Sequence, residues 1–97
     1  MSSLLASPKE AAAVRVSISD DAIVVDLIDG RTVTVPISWY PRLLHATAEE
    51  RCHWEPLGHG EGLHWPDLDE DIRVASLLEG RPSGESQESL GKWLAGR

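Results

Sequence analysis

AVRVSISDDAIVVDLIDGRTVTVP, residues 13–36, reads with a period of two almost throughout. Val14, Val16 and Ile18 alternate with Arg15, Ser17 and Ser19, the pattern of a strand that buries one face. Asp20-Asp21 supplies a polar turn. Ile23, Val25 and Leu27 form a second alternating set, with Val24 and Ile28 adding β-branched bulk on the other face. Asp29-Gly30 is a strong hairpin signal and predicts a type I′ turn, in which both central residues take positive φ. Thr32 and Thr34 then stand against Val33 and Val35, and Pro36, which has no N–H to donate, marks the end of the strand. The stretch predicts a three-stranded antiparallel meander.

Beyond Pro36 the period changes. Ser38 is expected to cap a short helical segment running through Trp39, Tyr40, Pro41, Arg42, Leu43 and Leu44, with the proline tolerated in the first turn. Thr47 and Glu50 stand at the spacing of a capping box, which predicts a helix to about Trp54, stopped by Pro56. Residues 57–62 (LGHGEG) read as a glycine-bearing loop, and Leu63-His64-Trp65 as a short fourth strand beside the meander. The acidic run at 67–71 leads to Val74, Leu77 and Leu78 at helical spacing, with Gly80 as a C-terminal cap. Residues 81–86 (RPSGES) are a polar linker, and Leu90, Trp93 and Leu94 form a narrow stripe on a final short helix. On the other side of the meander, residues 1–12 carry no period and read as a flexible lead-in; Pro8 opposes a continuous helix. The expected architecture is α+β: a small antiparallel sheet of three meander strands plus a short fourth, with two or three short helices on one side. A single domain spans 13–80, followed by linker and helix at 81–97.

At 97 residues the chain suits one domain with a modest core, to which self-association could add stability. Its formal net charge is -7, with 9 basic against 16 acidic residues. Direct nucleic-acid binding needs clustered Lys and Arg to neutralise phosphates, and the bases here are few and scattered. The acidic balance better suits a soluble protein, or one that meets a basic partner surface. Cys52 is the sole cysteine, so neither an internal disulfide nor a cysteine cluster can form. No signal-peptide pattern opens the chain, and its apolar runs fall far short of the ~20 residues that span a bilayer. No membrane association is expected, and a cytoplasmic location is.

The residues that could carry chemistry do not assemble into a known motif. Asp67, Asp69 and Asp71 begin like a calcium loop, but Ile72 and Leu78 occupy the positions that need Gly and a bidentate Glu. Capping of the following helix accounts for these carboxylates more simply. His53, His59 and His64 lack a zinc spacing. Cys52 and His53 are neighbours that point about 100° apart on a helix, which gives no dyad. Residues 58–62 resemble a phosphate cradle only loosely, with no nearby Lys and no helix start behind them. The expectation is therefore no catalytic residue, no metal and no cofactor. Four Trp with no Phe is an unusual choice for a small core, since an indole N–H needs a partner when buried. Trp54 and Trp65 read as core more readily than as contacts, whereas Trp39-Tyr40-Pro41-Arg42 reads equally as core lid or contact surface.

Four words in order, DGRTVTVP at 29–36, SWYPRL at 38–43, ATAEER at 46–51 and LHWPDLDEDI at 63–72, resemble the bacterial domain-of-unknown-function family 2442. The resemblance implies an α+β fold and carries no catalytic residue across. Some relatives place a helix-turn-helix module after such a domain; others stand alone, encoded beside another short protein in an arrangement similar to toxin–antitoxin pairs. The stand-alone version is expected here, because no room for a helix-turn-helix follows the tail. Residues and resemblance together predict a non-enzymatic interaction or regulatory module, antitoxin-like or accessory in a two-gene pair, whose partner is the product of the adjacent gene. A homo-oligomer is open. Its expected partner-binding residues are Trp39, Tyr40, Arg42, His64, Trp65, Asp69 and Asp71. The alternative is a small-ligand sensor whose Trp and His groups line a pocket.

Overall fold

The computed structural model describes residues 11–97 and is α+β. The meander forms as the alternation predicts: β1 (Ala13–Ile18), β2 (Ala22–Leu27) and β3 (Thr32–Pro36) pair antiparallel in sequence order. Ile23, Val25 and Leu27 of the central strand are buried, and Val35 of β3 joins them. Two local expectations change. Register shifts between Ala13 and Arg15, a bulge that leaves Val14 60% exposed rather than on the core face. At Asp29-Gly30 only the glycine has positive φ (96°), and the Leu27 N–H donates to the Arg31 carbonyl. That is a three-residue loop closed by a glycine bulge, not a type I′ turn. Asp29 keeps its ordinary φ because its carboxylate accepts the Arg31 N–H at 3.0 Å.

The larger correction concerns the fourth strand. Residues Gly62–Trp65 (β5) do not extend the meander; they form the centre of a second antiparallel sheet between β4 (Glu55–Leu57) and β6 (Glu70–Arg73). β4 is three residues long with a proline, which an edge strand tolerates. β6 begins inside the acidic run. Neither carries a strand signal of its own, so both depend on pairing with β5. The two sheets share one core, in which Ile23, Val25 and Val35 meet Leu63, Trp65, Leu68 and Ile72. They are also stitched by backbone, since the Ala13 N–H donates to the Gly60 carbonyl at 2.8 Å. A Cβ on Gly60 would sit 2.8 Å from the Ala13 oxygen, and its φ is 98°, so glycine is required there.

Short helices close the ends. Ile37–Trp39 is a 3-10 turn and α1 spans Pro41–Leu44; Tyr40, not Ser38, occupies the N-cap, without a side-chain bond. The Thr47–Glu50 capping box is present, but α2 (Ala48–Cys52) ends before Trp54 because Glu55 is already paired in β4. α3 (Val74–Leu78) ends at Gly80 in paired bonds from Gly80 N to Leu77 O and from Arg81 N to Ser76 O. α4 (Gln87–Ala95) docks through Leu90 and Trp93. Of the expected lead-in, residues 1–10 lie outside the described residues, while Ala11 and Ala12 are buried, small enough to pack beside the meander. No helix of the described residues is long and apolar enough to cross a membrane.

Candidate functional site

The acidic run is a hairpin loop and the start of a strand, not the N-terminus of a helix. Arg73 caps α3, and no side chain bonds to that end. The loop between β5 and β6 is anchored by Leu68, which is fully buried, and Asp69 sits at φ 51°. Arg42 pins the same loop from outside, its Nη1 donating to the carbonyls of Leu68 (2.9 Å) and Asp69 (3.2 Å). A rigid loop therefore presents Asp67 and Asp69 to solvent. No group of three metal-ligating side chains converges among the described residues.

Side chains of β6 alternate, and the two faces differ in kind. On the outer face the register sets Glu55, His64 and Asp71 in one row across three strands. His64 Nδ1 bonds the Asp71 carboxylate, which raises the pKa of the imidazole. His53 Nδ1 lies 3.0 Å from Asp67 Oδ2 and is raised for the same reason. Both histidines thus hold their protons to higher pH beside carboxylates. Cys52 is exposed and is not hydrogen-bonded to His53, so no nucleophile–base pair is set.

The inner face turns Glu70 toward the core beside Trp65. Burial pushes the Glu70 carboxyl up to about 7, against the opposing pull of Arg42. It lines a cavity of about 270 Å³ between β6, the first turn of α3 and residues Arg81–Gly84. That segment is strapped across the domain: the Tyr40 hydroxyl donates to the Arg81 carbonyl (3.0 Å), Ser83 N–H to the Trp39 carbonyl (2.9 Å), and Arg42 forks onto Glu85 (2.7 Å). Arg42 and Arg97 flank the Trp93 ring at 5.2 and 4.4 Å, and Arg97 pairs with Glu50, so the tail helix folds back onto its own domain.

Glu70 makes a pH prediction with a defined sign. Its native pKa, about 7, exceeds the ordinary 4.5, so the native state holds a proton that the unfolded chain releases. Stability from this group is complete at low pH and is lost as pH rises from about 4.5 through 7. Glu70→Gln should raise the melting temperature more at pH 8 than at pH 5. Equal shifts at both values would contradict the buried position.

Of the seven expected contact residues, the structure gathers Tyr40, Arg42, Asp69 and Asp71 around Glu70 and sets His64 across from Asp71. It buries two of the seven. Trp65 is wholly buried, its indole N–H donating to the Arg51 carbonyl at 3.0 Å. Tyr40 is 4% exposed with its hydroxyl engaged. Trp39 is half-buried against the core. Sequence reasoning missed Glu70, Glu85 and Arg51. Glu70 stands among four other acidic or apolar letters with nothing to single it out, and Glu85 meets an arginine 43 positions away.

A family described as "Protein of unknown function (DUF2442)" matches residues 13–83, which takes in both sheets and the strap to Ser83. Among solved structures, a protein of unknown function from Rhodospirillum rubrum is 31% identical, with a TM-score of 0.67; the match covers 80% of this chain and 96% of that one. An uncharacterized protein from Chromobacterium violaceum, 24% identical with a TM-score of 0.63, shares the fold over 84% of this chain and 74% of its own. No curated protein matches.

Proposed function

Since the chain belongs to the DUF2442 family of proteins of unknown function, we propose a function from its own surfaces: a non-enzymatic interaction or regulatory module that receives a basic partner. The observation that carries this reading is the outer face of the second sheet. A rigid three-stranded platform displays Glu55 and Asp71, and the pinned loop beside it displays Asp67 and Asp69. Carboxylates fixed on a sheet are organised before binding, so a complementary cationic surface meets them with little ordering cost. The chain's net charge of -7 supports the same partner sign. Membership of a two-gene pair, with an antitoxin-like or accessory role, rests on the family resemblance. Co-expression with the product of the adjacent gene, followed by size-exclusion chromatography, should give one joint peak that dissociates as salt is raised. Two independent peaks at low salt would overturn the reading.

A small-ligand sensor is the second reading, favoured by the Glu70 cavity. It predicts a raised melting temperature with a metabolite or metal, because ligand binds only the native state.

A further inference from the structure

We propose that the cavity between β6, α3 and Arg81–Gly84 is a socket for one arginine side chain, supplied by the basic partner. The inference rests on the interaction reading above and names how that partner is anchored. At about 270 Å³ the cavity lies just below the roughly 300–1,000 Å³ of sites that enclose small molecules, which suits a single long side chain. Its anchor is Glu70. Among the described residues this carboxylate accepts no hydrogen bond, although it is more than half withdrawn from solvent. The charges that bear on it are Glu85, Asp71 and Asp69 against Arg42, with Glu85 paired to Arg42 and Asp71 to His64. Arg42 is itself already committed to Glu85 and to two loop carbonyls. A second guanidinium would therefore find an unpaired acceptor.

The rest of the lining fits this occupant. The Ser76 hydroxyl adds an acceptor, and the Tyr40 ring and Pro82 offer apolar walls for an aliphatic stem. Arg73 and Arg81 stand on the lining as well; Arg81 is held by Glu79 at 3.1 Å, and Arg73 lies with Asp71 on the opposite face of β6 from Glu70. The larger groove beside α4 is a poorer receptor, because Arg42 is paired there and the Ser86 hydroxyl is spent on capping. Pocketed arginines are frequent anchors of protein interfaces, with carboxylates as their partners.

The test is a titration of the full ¹⁵N-labelled chain with N-acetyl-arginine methylamide, beside its neutral counterpart N-acetyl-citrulline methylamide. The expected result is saturable amide shifts at Glu70, Asp71, Ser83 and Gly84 with the arginine probe and none with citrulline. Glu70→Gln should weaken the response at least fivefold, and Glu88→Gln on α4 should leave it unchanged. Because a cation draws the proton from a carboxyl with a pKa near 7, affinity should rise about tenfold between pH 6 and pH 8. Equal shifts from both probes, or an unchanged response in Glu70→Gln, would overturn the socket. Titrating the same variants against the partner separates the two claims. If Glu70→Gln binds the partner like the wild type while loss of Asp67, Asp69 and Asp71 weakens it, the socket fails and the interaction reading stands. If neither change matters, both fail.

Discussion

Replacing Trp65 by alanine is expected to remove about 3–5 kcal/mol of stability and leave much of the chain unfolded near 37 °C. Among the described residues Trp65 is the largest fully buried side chain, and it sits where the two sheets share their core. Its loss opens a cavity that the surrounding Leu63, Leu68 and Ile72 cannot close without breaking strand register. It also strands the Arg51 carbonyl, which accepts the indole N–H. Trp65→Phe separates these effects. Most of the apolar area is kept while the donor is lost, so the cost should fall to about 1–2 kcal/mol. Urea denaturation followed by far-UV circular dichroism measures both. A Trp65→Ala variant with a wild-type midpoint would show that the second sheet does not depend on this residue.

The second large effect is expected at Arg51, a buried arginine that ties three elements together. Its Nε donates to the Leu43 carbonyl at 2.9 Å, Nη2 to the Leu44 carbonyl at 3.0 Å, and Nη1 reaches Asp20 in the β1–β2 turn at 2.8 Å. The two carbonyls belong to the end of α1, where intrahelical donors run out, so the guanidinium serves as that helix's C-terminal cap. Arg51→Met keeps the aliphatic stem and removes the donors, and should cost about 1–3 kcal/mol, chiefly through the Leu44 carbonyl, since the Leu43 carbonyl still accepts the Ala46 N–H. Asp20 is almost fully exposed, and Asp20→Asn should cost less than about 1 kcal/mol. Urea midpoints that fell equally for both variants would place the stabilisation in the ion pair rather than in the cap.

These two residues show which parts of the molecule the sequence made legible. The meander was legible because each of its strands carries its own alternation, and the capping box at Thr47–Glu50 because both partners lie within one turn. The second sheet was not. Glu55-Pro56-Leu57 and Glu70–Arg73 have no local preference for a strand and acquire one only by pairing with Gly62–Trp65. A signal did exist in β5, where Leu63 and Trp65 flank His64 with a period of two and so share the buried face. That spacing argues for Trp65 as core and against it as a contact. The bulge at Val14 and the turn at Asp29 follow from backbone geometry that composition does not encode. Around the candidate site, Tyr40, Arg42, Asp69 and Asp71 were reachable from their chemistry. Their organising partners, Glu70 and Glu85, were hidden because burial and a 43-residue separation are properties of the fold.

The site and the scaffold also divide cleanly in their expected responses. Changes at Trp65 or Arg51 act through folding, whereas neutralising the carboxylates of the loop and of β6 should leave the core intact, since Asp67, Asp69 and Asp71 are exposed. Asn at position 69 tolerates the positive φ that Asp69 adopts. The triple substitution Asp67→Asn, Asp69→Asn, Asp71→Asn is therefore a surface test with a preserved fold. The direct measurement is calorimetric titration of the adjacent gene's product into the wild-type chain and into this variant, at two salt concentrations. Recognition through the acidic face predicts a saturable wild-type complex that weakens with salt, and at least a tenfold loss of affinity in the variant. An affinity unchanged by both the substitutions and the salt, or no complex with the wild type, would contradict it.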